Sequence, residues 1–173
     1  RGISGASTIV LEYVLDTPSL NLRYGVSLIS VEQAKRNLER EINNYDLKVL
    51  SEAGRRIWNE KLGKISVTGG SEQDKTVFYT SLYRTYERMI CISEDGKYYS
   101  AFDGKVHNDY GIPFYTDDWI WDTYRAVHPL RVIIEPKMET DMISSFIRMA
   151  EQMEQFWMPT FPEITGDTRR MNS

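Results

Sequence analysis

The chain has 173 residues, 41% hydrophobic and 27% charged, a balance that suits a globular fold with a real core rather than a disordered or fibrous chain. Its net charge of −4 comes from 21 basic and 25 acidic residues with no long run of either sign, which argues against a nucleic-acid partner, since such surfaces cluster Lys and Arg. No stretch approaches the ~20 apolar residues of a membrane helix, so no membrane insertion is expected.

Residues 8–15 (TIVLEYVL) and 22–29 (LRYGVSLI) are rich in β-branched and aromatic types and flank a turn-like Asp16-Thr17-Pro18-Ser19, which predicts two strands. Two strands do not make a stable sheet. Their sheet partners are expected outside these segments, upstream of Arg1, so the expectation is a piece of a longer protein. The single Cys91 has no internal disulfide partner, which leaves the compartment open.

At Ser30 the pattern turns helical. Ser30-Val31-Glu32-Gln33 fits a capping box, followed by Val31, Ala34, Leu38 and Ile42 at helical spacing. A second helix is predicted over 46–62, with Leu47, Leu50, Ile57 and Trp58 on one side, and a short strand over 64–68. A third helix begins at Ser71 and places Phe78, Leu82, Tyr86, Met89 and Ile90 on one face. Segments 97–102 and 105–108 flank Asp103-Gly104, a hairpin signal. Residues 118–134 are apolar nearly all round, which predicts one deeply buried helix. A last helix starts at Pro136 with Met138, Met142, Phe146, Met149, Ala150 and Met153 in one stripe. Five helices after strands suggest stacked helical hairpins.

Chemistry concentrates in 115–125 (YTDDWIWDTYR) and the His128-Pro129-Leu130 that follows. A Trp beside a carboxylate suits a sugar: the indole face packs on ring C–H groups, and the carboxylate accepts from hydroxyls. Trp121, Asp122 and Arg125 are therefore the candidate binding residues. Plainer readings stand beside this one, since a lone Trp is often core and Asp122 with Arg125 has the spacing of a helix ion pair. His107 and His128 lack the spacing of a zinc site, and a helix hydrogen bond or solvation suits each. No catalytic acid or base and no metal ligand is identified.

The run Phe78-Tyr79-Thr80-Ser81-Leu82-Tyr83-Arg84, the segment Asp95-Gly96-Lys97-Tyr98-Tyr99, and above all Trp121-Asp122-Thr123-Tyr124-Arg125-Ala126-Val127-His128-Pro129-Leu130 resemble glycoside hydrolase family 92, the calcium-dependent exo-acting α-mannosidases. Gly25–Ser30, Trp58-Asn59 and Leu62–Ile65 agree with it. The resemblance implies a mainly α chain with a β-rich N-terminal edge. Residues 1–30 would end a β-sandwich, 31–63 would be a helical linker, and 64–173 would begin an incomplete (α/α)6 toroid. It also implies an inverting enzyme acting on a mannose-containing glycan, exo-acting on α-1,2-linked mannose. One carboxylic acid would protonate the leaving oxygen while a carboxylate activates water. Calcium is the implied cofactor, and a periplasmic, cell-surface or secreted location is implied with it.

Trp121 and Asp122 carry over as part of the mannose pocket. Trp157 and Asp167 carry over less directly, because 154–162 lacks the family's glycines and Gly166-Asp167-Thr168 has Asp where Glu is frequent. The acid, the base and most calcium ligands are expected beyond Ser173, so this chain alone is expected to be inactive. Two alternatives remain: another (α/α)6 glycosidase or phosphorylase, and a non-catalytic carbohydrate-binding helical module. Apolar faces including Met142, Phe146 and Met149 are expected to need covering by the remainder of the parent chain or by self-association.

Overall fold

The computed structural model describes residues 19–153 and 156–167. The predicted strand at 8–15 lies outside them. The one predicted at 22–29 does not form: the segment is extended coil with a bend at Leu28-Ile29. It finds no partner strand among the described residues and is held by side chains instead. Asn37 Nδ2 donates to the Val26 carbonyl at 3.1 Å, and Leu28 N–H to Glu94 Oε1 at 3.1 Å. Gly25 is required by close approach, since a Cβ there would sit 2.3 Å from the Ala34 carbonyl oxygen.

Helix α1 (Val31–Glu41) starts at Ser30, whose Oγ accepts the Gln33 N–H at 3.1 Å. The expected reciprocal arm is missing. Gln33 Nε2 reaches Asn37 Oδ1 and Asp95 Oδ2 instead, at 3.0 and 2.6 Å. The buried face of α1 is therefore polar, Gln33 and Asn37, while Val31 is exposed. The helix docks on the acidic Glu94-Asp95 turn, with Arg40 paired to Asp95, so hydrogen bonding rather than apolar burial orients it.

Helix α2 (Leu47–Leu62) is capped by Asp46 and has no fully buried residue. Trp58 meets Tyr83 and Tyr86 edge-on, with ring centroids 4.5 and 6.0 Å apart. No strand forms at 64–68. The Tyr79 hydroxyl takes the place of a partner strand, donating to the Ile65 carbonyl at 3.0 Å and accepting the Val67 N–H at 3.3 Å. Helix α3 (Glu72–Arg84) holds the reciprocal capping box, between Ser71 and Asp74. It ends before Tyr86, and the turns that follow deliver Met89 into the core and Ile90 into a strand.

Strand β1 (Ile90–Cys91) is followed by the hairpin of β2 (Lys97–Ser100) and β3 (Lys105–Asn108), with Gly104 at φ +70° in its turn. Strand β4 (Tyr115–Thr116) then pairs antiparallel with β1. The single helix predicted over 118–134 is two: α4 (Ile120–Thr123) and α5 (Val127–Ile134). Pro129 explains the break. In a continuous helix it could not donate to the Arg125 carbonyl and its ring would clash there, whereas in the first turn of α5 no donor is needed. Nor is the segment deeply buried, since Val132 and Ile133 are exposed and Arg131 is buried.

Helix α6 (Pro136–Gln152) follows after Glu135 alone, and α5 packs against it. Glu135 also accepts Lys61 Nζ on Oε1 and Lys64 Nζ on Oε2, each at 2.8 Å, tying the end of α2 to this junction. Strands β5 (Pro162–Glu163) and β6 (Gly166–Asp167) form a last two-stranded pair.

The core is Met89, Tyr98, Phe114, Met142, Phe146 and Met149, with the Tyr98 and Phe114 rings stacked at 4.0 Å. Each such side chain contributes about 1.5–3 kcal/mol. The stripe expected to lie open on α6 is thus covered, because the hairpin and the β4 segment fold over it. Exposed apolar residues lie elsewhere, among them Ile143 and Ile147 on α6, Leu47, Val49 and Ile57 on α2, and Leu22, Tyr24 and Val26 before α1. Among the described residues no helix is long and apolar enough to cross a membrane.

Candidate functional site

The 115–125 segment leaves the core through β4, which is pinned to α6 where the Tyr115 N–H donates to Ser145 Oγ at 2.9 Å. Asp117 then turns the chain at φ +71°. Arg88 braces this turn from outside, its guanidinium 3.9 Å above the Trp119 ring and Nη1 4.0 Å from Asp117 Oδ2. The Asp118 N–H donates to the Pro162 carbonyl at 2.9 Å and the Ile120 N–H to the Thr160 carbonyl at 3.3 Å, so the segment before β5 runs alongside.

Helix α4 presents Trp121, 65% exposed, with exposed Asp122 beside it. The ion pair that competes with a ligand role is not formed. Arg125 Nε donates to the Tyr124 hydroxyl at 2.7 Å, and Asp122 makes no ion pair among the described residues. Trp157 is 75% exposed in the stretch before β5, and Asp167 lies in β6, its backbone paired with Pro162. A cleft of about 770 Å³ lies elsewhere, between residues 20–28, α1 and 91–94; none of Trp121, Asp122, Arg125 or Trp157 borders it.

Under this surface lies a charged cluster that the sequence reading missed. Asp118 is fully buried, and its Oδ2 accepts from Thr123 Oγ1 at 3.2 Å and meets His128 Nε2 at 3.0 Å. His128 Nδ1 meets Glu139 Oε1 at 2.8 Å. Hydrogen bonds to Asp118 and then Glu139 push the imidazole pKa up to about 9, against the effect of burial. Arg131, 1% exposed, donates from Nη2 to the Thr85 carbonyl and from Nη1 to Met142 Sδ at 3.2 Å. Burial pulls its pKa down, and the charges of Glu139 and Asp118 oppose that. His128 thus makes the helix-borne hydrogen bonds expected of it, but as a bridge between two carboxylates. No short spacing marks this cluster; the legible signal is a His and an Arg inside the apolar run of α5.

Calcium takes six to eight oxygen ligands. Among the described residues no group of three or more His, Cys, Asp or Glu side chains is placed to hold a metal ion. Of the acidic residues in this segment, Asp117 faces Arg88, Asp118 holds His128 and Asp122 stands exposed on α4, so their oxygens do not converge on one point. These residues do not fit a calcium site, and no chemical step is derived through one.

A family model described as the glycosyl hydrolase family 92 catalytic domain matches residues 33–173. The chain belongs to glycoside hydrolase family 92. Solved structures agree. A family 92 α-mannosidase from Bacteroides thetaiotaomicron superposes with a TM-score of 0.76 at 25% identity, over 84% of this chain and 19% of that one. The same enzyme in complex with mannoimidazole superposes equally well. A family 92 inverting mannosidase from Bacteroides thetaiotaomicron VPI-5482 gives a TM-score of 0.74 at 34% identity, over 84% of this chain and 20% of that one. A curated protein from Arthroderma benhamiae, named an uncharacterized secreted glycosidase, is 34% identical over 70 residues, 38% of this chain and 9% of its own length. The chain therefore spans about a fifth of the family 92 structures it matches. It is mainly helical, as the family resemblance implied.

Proposed function

We propose that the protein containing this chain is an α-mannosidase that removes terminal mannose from a mannose-containing glycan. The observation that carries the reading is the family 92 match across residues 33–173, supported by superposition on a family 92 enzyme whose structure holds mannoimidazole. The finer reading is exo-action on α-1,2-linked mannose with inversion and with calcium, the acid, the base and the ion's ligands coming from outside the described residues. Residues 1–30 end a β-sandwich, 31–63 form a linker and 64–173 begin an (α/α)6 toroid whose further parts, or a second copy, cover the exposed apolar residues. A periplasmic, cell-surface or secreted location fits the secreted glycosidase it resembles.

Trp121 and Asp122 form part of the mannose pocket, with Arg125 beside them and Trp157 and Asp167 in weaker roles. The exposure of Trp121 and Asp122 on a segment rooted in buried charges supports this, because a sugar platform must be both open and fixed. The test is turnover of an aryl α-mannoside by the whole protein and by its W121A and D122N variants. Each substitution removes contacts to the sugar, so kcat/KM should fall by on the order of 100-fold with the fold intact. Variants as active as the parent would remove both residues from the pocket.

A further inference from the structure

His128 stands between two buried carboxylates contributed by different parts of the fold. Nε2 lies 3.0 Å from Asp118 Oδ2, and Nδ1 lies 2.8 Å from Glu139 Oε1. A neutral imidazole has one N–H and one lone pair, so it can donate to only one of them. With both carboxylates ionised, both ring nitrogens carry protons and the ring is a cation.

Asp118 is also where the loop bearing Trp121 and Asp122 is fastened. Its carboxylate receives Thr123 Oγ1 from α4, and its N–H reaches the Pro162 carbonyl. We propose that His128 is the positioning residue for Trp121 and Asp122, acting through Asp118 and anchored to α6 by Glu139. This rests on the mannose-pocket reading of those two residues. Loss of one imidazole proton turns a lone pair toward a buried carboxylate; either Asp118 or Glu139 then loses its imidazole donor, and the α4 segment comes free of α6.

The charged and titratable groups around this bridge are Asp118 from the loop, Glu139 from α6 and Arg131 from α5. Tyr86 and Tyr115 interact electrostatically with Arg131, and the Tyr86 hydroxyl donates to Glu135 Oε1 at 3.5 Å. Burial, first of all, pushes Tyr86 above its ordinary value and Tyr115 up to about 12, so neither phenol loses its proton before the His128 imidazole, whose pKa is about 9.

The test uses the whole protein and two readouts. In the first, collisional quenching of tryptophan fluorescence is followed from about pH 6 to about pH 10, with the Trp121 signal taken as the difference between the parent and W121F. The expected result is a change in Trp121 accessibility with its midpoint near pH 9, absent in H128Q. In the second, H128Q raises KM for an α-mannoside on the order of tenfold with a far smaller change in kcat. H128Q/E139Q returns KM toward the parent value, because the amide introduced at position 128 can then donate to Asp118 while its carbonyl accepts from the amide introduced at position 139. A Trp121 signal unchanged through that pH range overturns the proposal and needs no variant of His128 to fold. H128Q with unchanged KM overturns it also. A parent protein that does not turn over α-mannosides counts against the mannosidase reading alone, and the fluorescence readout still decides the role of His128.

Discussion

Arg131→Met is the perturbation that most directly weighs the buried charges beneath the site. With Asp118 and Glu139 as carboxylates and His128 and Arg131 as cations, the cluster is neutral as a set. Methionine approximates the volume of the arginine stem but withdraws the Nη2 donor from the Thr85 carbonyl and leaves one uncompensated negative charge in the interior. Removing one member of a buried charge network costs about 3–5 kcal/mol. Arg131 makes no direct ion pair with either carboxylate among the described residues, which sets the expectation at the low end, about 3 kcal/mol. Set against a typical net stability of roughly 5–15 kcal/mol, that is a large loss. Urea denaturation of the purified protein at neutral pH measures it directly. Adding Glu139→Gln removes the surplus charge, so the double variant should be more stable than the sum of the two single losses predicts. A loss below about 1 kcal/mol for R131M, or strict additivity with E139Q, would show that the charges do not balance one another and would refute the reasoning.

Stability should also fall with alkali. The folded pKa of His128, about 9, lies above its ordinary value of 6.5, so its contribution is fully present below 6.5 and is lost as pH rises through about 9. The urea midpoint should drop across that window in the parent and stay level there in H128Q. Phe114→Ala removes a ring 1% exposed and stacked on Tyr98, and should cost about 3–5 kcal/mol by the same assay. Ile147→Ala, on the exposed side of α6, should cost under about 1 kcal/mol unless another part of the protein covers it.

How legible these features were in the sequence differs from residue to residue, for physical reasons. The α6 stripe of Met142, Phe146 and Met149 followed from helical spacing, because a long amphipathic helix buries its apolar side whatever its partner. The hairpin followed from Asp103-Gly104, a local signal. The strand predicted at 22–29 did not form, because β-propensity decides nothing where no partner strand lies among the described residues. Pro129 was visible inside the apolar run and is what divides 118–134 into two helices. The Asp118–His128–Glu139 bridge was not legible, since it joins a loop and two helices through spacings of ten and eleven residues that no local pattern marks. Trp121 and Asp122 stood out as a motif, but their exposure and the failure of Asp122 to pair with Arg125 needed coordinates.

Glu135 receives Lys61 and Lys64 on its two oxygens, and both lysines lie at the same end of α2. Trp58, which meets Tyr83 and Tyr86, is near that end as well, while Leu47 and Val49 at the opposite end are exposed. Mechanically, α2 is a lever with its fulcrum at one carboxylate. At 1.5 Å per residue its 16 residues span about 24 Å, so a tilt of ~10° at Glu135 displaces Leu47 by about 4 Å. Salt or a single charge change at Glu135 would thus register least at the fulcrum and most at the far tip.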